Sequence, residues 1–281
     1  MLKQKNLVID AAMRLDDDKA LRLLGKEGIR IRAVLTEAGY QNPVSEAVIR
    51  ALSVCGTMKP QVTVYEGCRE PLAKTLSYGR YLGAEKAACA DAGTMDLRPD
   101  EQLDTVSGKT ADIHAVTYLI QNLLQSREPV TVAAWGPVTN LACAIRIRPE
   151  IAGHICEVVL RAGALNEGDV TPYAEYNMWC DPEAMQILLN AGVPVTMFPL
   201  ELCRQYQSYS VLTAAYLLEP DVIKRSQKER ADVCLDFNQG EGHLLLNDKA
   251  MANVTLVTEL NYDKFESLAN GGTDGQEGGT V

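Results

Sequence analysis

Residues 8–21 read VIDAAMRLDDDKAL. Val8 to Asp10 end a short apolar run of the kind that forms a buried strand; five residues follow, and Asp16, Asp17 and Asp18 then open an apolar-periodic helix. A strand leading directly into a helix is the opening unit of an α/β fold, and ligands in such folds bind at the carboxyl ends of parallel strands. Three carboxylates at that position have two readings. Asp16 can cap the helix while Asp17 and Asp18 meet the positive end of its dipole. Alternatively, the crowded carboxylates hold a hard cation or sugar hydroxyls, which offset their repulsion.

Outward from this stretch, short apolar runs alternate with helix-periodic segments. Strands are predicted at 7–10, 29–35, 62–65, 130–134, 158–161 and 193–198, and helices at 17–24, 45–54, 111–124, 138–147 and 182–190. Strands this short and apolar are buried on both faces. The expectation is an α/β, Rossmann-like fold with a mostly parallel central sheet and helices on both faces. Residues 77–109 carry Gly79, Gly83, Gly93, Pro99 and Gly108 with weak periodicity and read as a long connection of the lid or binding-loop type. A single domain over 1–265 is expected, with 266–281 a glycine-rich tail ending in NGGTDGQEGGTV.

Composition narrows the function. A formal charge of -10 repels a nucleic-acid polymer and leaves small neutral or cationic ligands as partners. No stretch is long and apolar enough to span a bilayer, and no secretory segment precedes the first strand. The eight cysteines, at 55, 68, 89, 143, 156, 180, 203 and 234, contain no CxxC pair and suit reduced thiols, so a cytoplasmic location is expected.

Four clusters carry candidate chemistry. The first is Asp10 with Asp16 and Asp17. The second is WGPVTN at 135–140, where Gly-Pro follows a strand, a strand-end carbonyl can point into a site, and Thr139 and Asn140 open a helix; an ordinary capped turn fits as well. The third spans 162–184, where Asp169, Glu175 and Asn177 offer the acceptors and donors that sugar hydroxyls require, before Asp181-Pro182 starts a helix. The fourth is HLLLNDKAMA at 243–252, in which His243 and Asn247 share a face if the segment is helical, with Asp248 adjacent.

In this order and spacing the clusters resemble the inosine-uridine preferring nucleoside hydrolase family over residues 7 to 265. The most specific stretches are VYEGCREPL (64–72), GPVTNLA (136–142), TPYAEYN (171–177) and DPEA (181–184). The resemblance implies cleavage of the N-glycosidic bond of a ribonucleoside, one calcium ion, and homo-oligomers. By position it places Asp17, the Trp135 carbonyl and Asp248 on the metal, and Asp16 on a ribose hydroxyl. It sets Glu175 and Asn177 on the ribose, with Asp169 where the family usually has asparagine. His243, Tyr78 and Tyr81 are candidates to touch the base.

The chain departs from the pattern at specific positions. The family's Asp-x-Asp-Pro-Gly-x-Asp-Asp signature reads DAAMRLDD from Asp10 to Asp17, so Ala12 replaces the aspartate that is both metal ligand and general base. Glu37 stands near a ribose-binding asparagine, Arg161 near an apolar residue by the sugar, and Asn247 replaces a histidine. Two readings follow. In one, the chain is a diverged N-glycosidase in which Glu37 or Asp10 does the base work and Arg14 or Arg161 supplies positive charge. In the other, it is an inactive homologue that binds a ribosyl ligand or serves a structural role.

Overall fold

The computed structural model describes residues 6–14, 16–27, 29–39, 43–74, 109–236 and 240–270. Among these residues nine strands form one sheet in the order β3-β2-β1-β4-β5-β6-β9-β7-β8. They are β1 (Leu7–Ala11), β2 (Ile31–Thr36), β3 (Thr63–Glu66), β4 (Val130–Ala134), β5 (Ile155–Arg161), β6 (Val195–Phe198), β7 (Ile223–Val233), β8 (Leu244–Asn247) and β9 (Val254–Leu260). All pairings from β3 across to β9 are parallel. β7 pairs antiparallel with both β9 and β8, which makes the sheet mixed but mostly parallel, as expected.

The helices are α1 (Asp17–Lys26), α2 (Val44–Cys55), α3 (Ala115–Gln125), α4 (Thr139–Ile147), α5 (Tyr176–Cys180), α6 (Pro182–Leu189), α7 (Leu200–Tyr206), α8 (Ser210–Leu218) and α9 (Tyr262–Ala269). Because side chains alternate across a strand, each central strand feeds two cores. Val8, Leu35, Val132, Leu160 and Met197 pack on one face against α3, α4 and α6 through Leu119, Leu141, Ile145, Met185 and Leu188. Ile9, Val34, Ala133, Val159 and Phe198 pack on the other against α1, α2, α8 and α9 through Leu21, Leu24, Ala51, Leu212 and Phe265. Every residue of β1 and β4 is buried, which is why their sequences are nearly unbroken apolar runs.

The structure corrects several expectations. The segment at 243–252 forms β8 and an exposed turn, not a helix; its run of leucines pairs with β7, where Val233 faces Leu244 and Arg230 faces Asn247. The helix predicted from 111 begins at Ala115, where the His114 side chain accepts a hydrogen bond from the Val116 amide at 3.2 Å. Residues 266–269 are the last part of α9, whose Phe265 is buried, so the folded unit continues past 265. Residues 75–108, including Tyr78 and Tyr81, and 271–281 lie outside the described residues. Among the described residues no helix is long and apolar enough to cross a membrane.

Where β4 ends, Trp135 turns its fully buried ring under the sheet toward α8, and its indole Nε1 donates to Thr213 Oγ1 at 2.7 Å. Thr213 in turn donates to the Ser210 carbonyl at 2.7 Å, which ties the end of β4 to the first turn of α8. Replacing Trp135 with Phe leaves a gap and removes the donor to a buried hydroxyl. We expect the stability measured by urea denaturation to fall by roughly 1–3 kcal/mol, with the m-value unchanged.

Candidate active site

The carboxyl ends of β1, β2, β4 and β5 carry two polar clusters, one on each side of the sheet. Asp10 is the fourth residue of β1, fully buried, and pairs in register with Ala134 of β4. Its Oδ1 accepts from Asn140 Nδ2 at 2.8 Å, while Oδ2 has no hydrogen-bond partner among the described residues. Glu37 follows β2 and is 1% exposed. It accepts from the Val138 amide at 3.0 Å and the Asn140 amide at 3.3 Å, at the start of α4. Asn140 completes the cluster by donating to the Thr36 carbonyl at 3.1 Å and accepting from the Cys68 amide at 2.8 Å.

Burial dominates the acidity of this pair. It raises the Asp10 carboxyl to about 7, with the Asn140 hydrogen bond partly offsetting it. Glu37 is held well above its ordinary range, first by burial and then by the neighbouring Asp10 charge. Two carboxylates this close do not both ionise readily. Glu37 also stands beside Ala12. A Cβ on Gly136 would collide with Glu37 Oε1 and come within 3.2 Å of the Ala12 amide nitrogen, so glycine at 136 leaves room for the Glu37 carboxylate on this side of the Ala12 backbone.

The second cluster centres on Arg161, the last residue of β5, which is 6% exposed. Its guanidinium donates to the Trp135 carbonyl and lies 5.7 Å from the Tyr209 ring. It interacts electrostatically with Asp17, Glu175 and Asp16. Asn177 reinforces the arrangement by donating to the Arg161 carbonyl at 2.9 Å and to the Trp135 carbonyl at 3.5 Å. Asp17 accepts from the Arg14 amide at 2.7 Å and from the Ser210 hydroxyl. Burial pushes its carboxyl up to about 6, with the Arg161 charge the largest opposing influence. Glu175 caps α5 by accepting from Met178 and also accepts from the Gly163 amide at 3.1 Å. Burial raises its carboxyl, again opposed by Arg161. Asp169 lies on the rim, raised to about 7 by burial and by Glu175.

Asp16 has a role that neither sequence reading anticipated. It makes no side-chain cap on its own helix. Instead its carboxylate accepts from the Ser208 hydroxyl at 2.9 Å and from the amides of Tyr209, Ser210 and Val211 at 2.8, 2.7 and 3.3 Å. It therefore caps α8, from 192 or more residues away in the chain, and its lone pairs are engaged there rather than turned to a sugar.

Two predicted residues, Asp248 and Asn247, lie elsewhere, while His243 packs beside the 171–177 segment. Asp248 is exposed in the turn after β8, at the opposite edge of the sheet from β3, with β4, β5, β6, β9 and β7 between it and β1. It is not beside Asp17, because β8 extends the sheet edgewise instead of returning as a helix over the site. Asn247 is exposed and uses Oδ1 to accept from the Lys249 amide at 3.0 Å. His243 lies at the β7–β8 connection, its ring 5.4 Å from that of Tyr173. The sequence reading also missed Ser210, although Ser208-Tyr209-Ser210 before the apolar stretch of α8 is a helix-start signal.

Among the described residues the donor set does not fit a calcium ion. Among the described residues no group of three or more His, Cys, Asp or Glu side chains could hold a metal. Position 12 has no side-chain oxygen, Asp248 is remote, and the Trp135 carbonyl accepts from Arg161. A hard cation needs six to eight oxygens, and here a guanidinium takes up the strand-end carbonyl instead.

Asp10 supplies a test of the buried pair. Its carboxyl is raised in the folded state, so as pH increases from about 4 to about 7 the unfolded chain ionises first and the folded chain loses relative stability. Asp10→Asn keeps an acceptor for Asn140 and has no charge to desolvate. We expect it to gain stability over the parent protein as pH rises through that window, on the order of 2–4 kcal/mol by pH 8, read from denaturation curves at pH 4, 6 and 8.

Comparison with known proteins accords with this architecture. The family description "Inosine-uridine preferring nucleoside hydrolase" matches residues 7–211. The pyrimidine-specific ribonucleoside hydrolase RihB of Shigella flexneri serotype 5b is 29% identical over 262 residues, 93% of this chain and 74% of that protein. RihB of Escherichia coli strain SE11 is 30% identical over 228 residues, 81% of this chain and 66% of that protein. Among solved structures, a plant nucleoside hydrolase, PpNRh1, superimposes with a TM-score of 0.79 at 21% identity, covering 95% of this chain and 98% of that one. A purine-preferring ribonucleoside hydrolase from Gardnerella vaginalis gives 0.77 at 20% identity, with the same coverage. On the extent of the family match, together with the parallel sheet and the position of its strand-end carboxylates, the chain belongs to the inosine-uridine preferring nucleoside hydrolase family.

Proposed function

We propose that this protein hydrolyses the N-glycosidic bond of a ribonucleoside without calcium, with Glu37 as general base and Arg161 as the fixed positive charge of the site. The observation that carries the reading is the position of Glu37: a buried carboxylate with raised pKa, adjacent to the residue, Ala12, where the family's base is missing. Water attacks the anomeric carbon and gives its proton to Glu37, while the carbon–nitrogen bond breaks and its electron pair leaves with the base. A carboxyl above its ordinary range is the stronger base once ionised, and the neighbouring Asp10 strengthens it further by like-charge repulsion.

Arg161 is assigned a different task. By opposing the burial cost of Asp17 and Glu175 it keeps these carboxylates anionic beside the sugar, where positive charge develops in the oxocarbenium-like transition state. Its Nε is buried without a partner among the described residues and is the donor available to a ribose hydroxyl. Asp16 is reassigned from substrate contact to holding α8, and Asp248, Asn247 and His243 take no part. The substrate is a small nucleoside, since a chain of charge -10 disfavours a polyanion.

The test is release of free base from a panel of purine, pyrimidine and modified ribonucleosides, run with added calcium and with chelator. The expected result is turnover unaffected by chelation, with no calcium uptake by titration calorimetry. kcat/KM should rise with pH over a range displaced above that of an ordinary carboxylate, because the base works only when ionised. Glu37→Gln should lower kcat by about 10²–10⁴-fold and remove that rise, while KM changes little. A second reading, in which the chain only binds a ribosyl ligand, is favoured by the absence of any side-chain oxygen at Ala12. Ribose binding without turnover on any nucleoside would establish it, and a rate abolished by chelator would overturn the proposed role of Arg161.

A further inference from the structure

Cys68 and Cys143 lie 4.0 Å apart, sulfur to sulfur, on the same side of the sheet as Asp10 and Glu37. Cys68 follows β3 and Cys143 is in α4; both are half-buried free thiols, within reach of a small solute. Nothing in the proposed hydrolysis uses either sulfur. The surrounding backbone is tightly fixed. The Cys68 amide donates to Asn140 Oδ1 at 2.8 Å, and the Cys68 carbonyl accepts from the Ala38 amide at 3.0 Å, one residue beyond Glu37. At Gly67 there is no slack, since a Cβ would collide with the Asn140 carboxamide and the Thr36 carbonyl.

We propose that Cys68 and Cys143 form a site of reversible thiol oxidation, closing to a disulfide in the presence of an organic disulfide such as glutathione disulfide. The Cys143 sulfur attacks one sulfur of the organic disulfide and expels one thiolate. The Cys68 sulfur, giving up its proton to solvent, then attacks Cys143 and expels the second. The balance is two cysteine thiols and one organic disulfide converted to one protein disulfide and two small thiols. The hydrogen bond from Cys68 toward Cys143 holds the Cys143 thiol below its ordinary range, which favours Cys143 as the attacking sulfur. The Asp10 and Asp181 charges beside it act in the opposite direction, so the closeness of the two sulfurs is the main argument for this pair.

Closing the gap from 4.0 Å to the roughly 2 Å of a disulfide pulls the 66–72 loop toward α4. That movement strains two restraints, the Cys68–Asn140 and Cys68–Ala38 hydrogen bonds, which flank Glu37 and Asp10. Oxidation therefore loosens the start of α4 and the amide after Glu37. If the hydrolytic reading above holds, it also lowers kcat; that last effect alone rests on the reading.

The experiment uses the full chain in glutathione buffers of graded ratio, with intact mass and peptide mapping after alkylation, followed by hydrogen exchange. The expected result is a loss of about 2 Da, a Cys68–Cys143 crosslinked peptide, and reversal by excess reduced glutathione. Cys68→Ser should leave Cys143 as a stable mixed disulfide, and Cys143→Ser should prevent the crosslink. Faster exchange is expected at residue 38 and at 138–140 in the oxidised chain. Modification confined to the exposed Cys156, or full alkylation of Cys68 and Cys143 at every ratio, overturns the site. A crosslink that leaves exchange at 138–140 unchanged overturns its coupling to Glu37. Because these readouts require no substrate, their failure is distinct from failure of the hydrolytic reading.

Discussion

The buried guanidinium of Arg161, held between the Trp135 carbonyl and the carboxylates of Asp17 and Glu175, is the interaction on which the carboxyl end of the sheet depends. Asp16, Asp17 and Glu175 are each 9% exposed or less, and unpaired ionised groups so placed would be strongly destabilising. Arginine suits the position for a physical reason. Its planar fork stays charged at any ordinary pH, and it donates to the Trp135 carbonyl while its charge favours the ionised forms of Asp17 and Glu175. Once that charge is built into β5, the strand-end carbonyl has its partner and the nearby carboxylates have their counter-charge, so an added divalent cation has little left to coordinate.

The carboxylates also share a backbone task. Asp16 accepts from the first amides of α8, Glu37 from those of α4, Glu175 from α5 and Asp181 from α6. Each is a buried acid at the positive end of a helix, where free amides and the helix dipole favour negative charge. In a parallel sheet the helices on both faces begin near the strand carboxyl ends, so the residues that orient the helices and those that could meet a substrate compete for the same ground. Asp16 has gone wholly to the helix. Glu37 belongs to both, since its position beside Ala12 and its bonds to α4 come from one conformation.

Much of this was legible in the sequence, and what was not has identifiable causes. The first six strands announce themselves because burial on both faces makes them apolar throughout, as in β1 and β4. β7 does not: IKRSQKERADV is charged along most of its length, because residues 224–228 are exposed in succession, and nothing in its pattern reads as a buried strand. The resemblance placed Asp248 and Asn247 at the site by position, and the helix considered for 243–252 agreed with that, whereas pairing with β7 holds this stretch at the sheet edge. Asp10, Asp17, Glu37, Arg161, Glu175 and Asn177 were recognisable because each stands just after a strand or at a helix start. The capping of α8 by Asp16 could not be read from local sequence, since its partners begin 192 residues later and only the tertiary fold brings them together.

The loss of a carboxylate at position 12 is then less severe than it looks in the sequence alone. Two acids already share the neighbouring pocket, with Asp10 raised to about 7 and Glu37 higher than its ordinary range. A further buried carboxylate near this pair would raise their pKa values in the same direction, by like-charge repulsion. In this chain the buried carboxylates of this cluster are Asp10 of β1 and Glu37 after β2, with alanine at 12. The glycines at 39 and 136 leave room for this arrangement, since a Cβ on Gly39 would come 2.5 Å from the Ala12 Cβ and one on Gly136 would displace Glu37 itself. Arg161 supplies positive charge at the carboxyl end of the sheet and occupies the Trp135 carbonyl, the strand-end oxygen of the site.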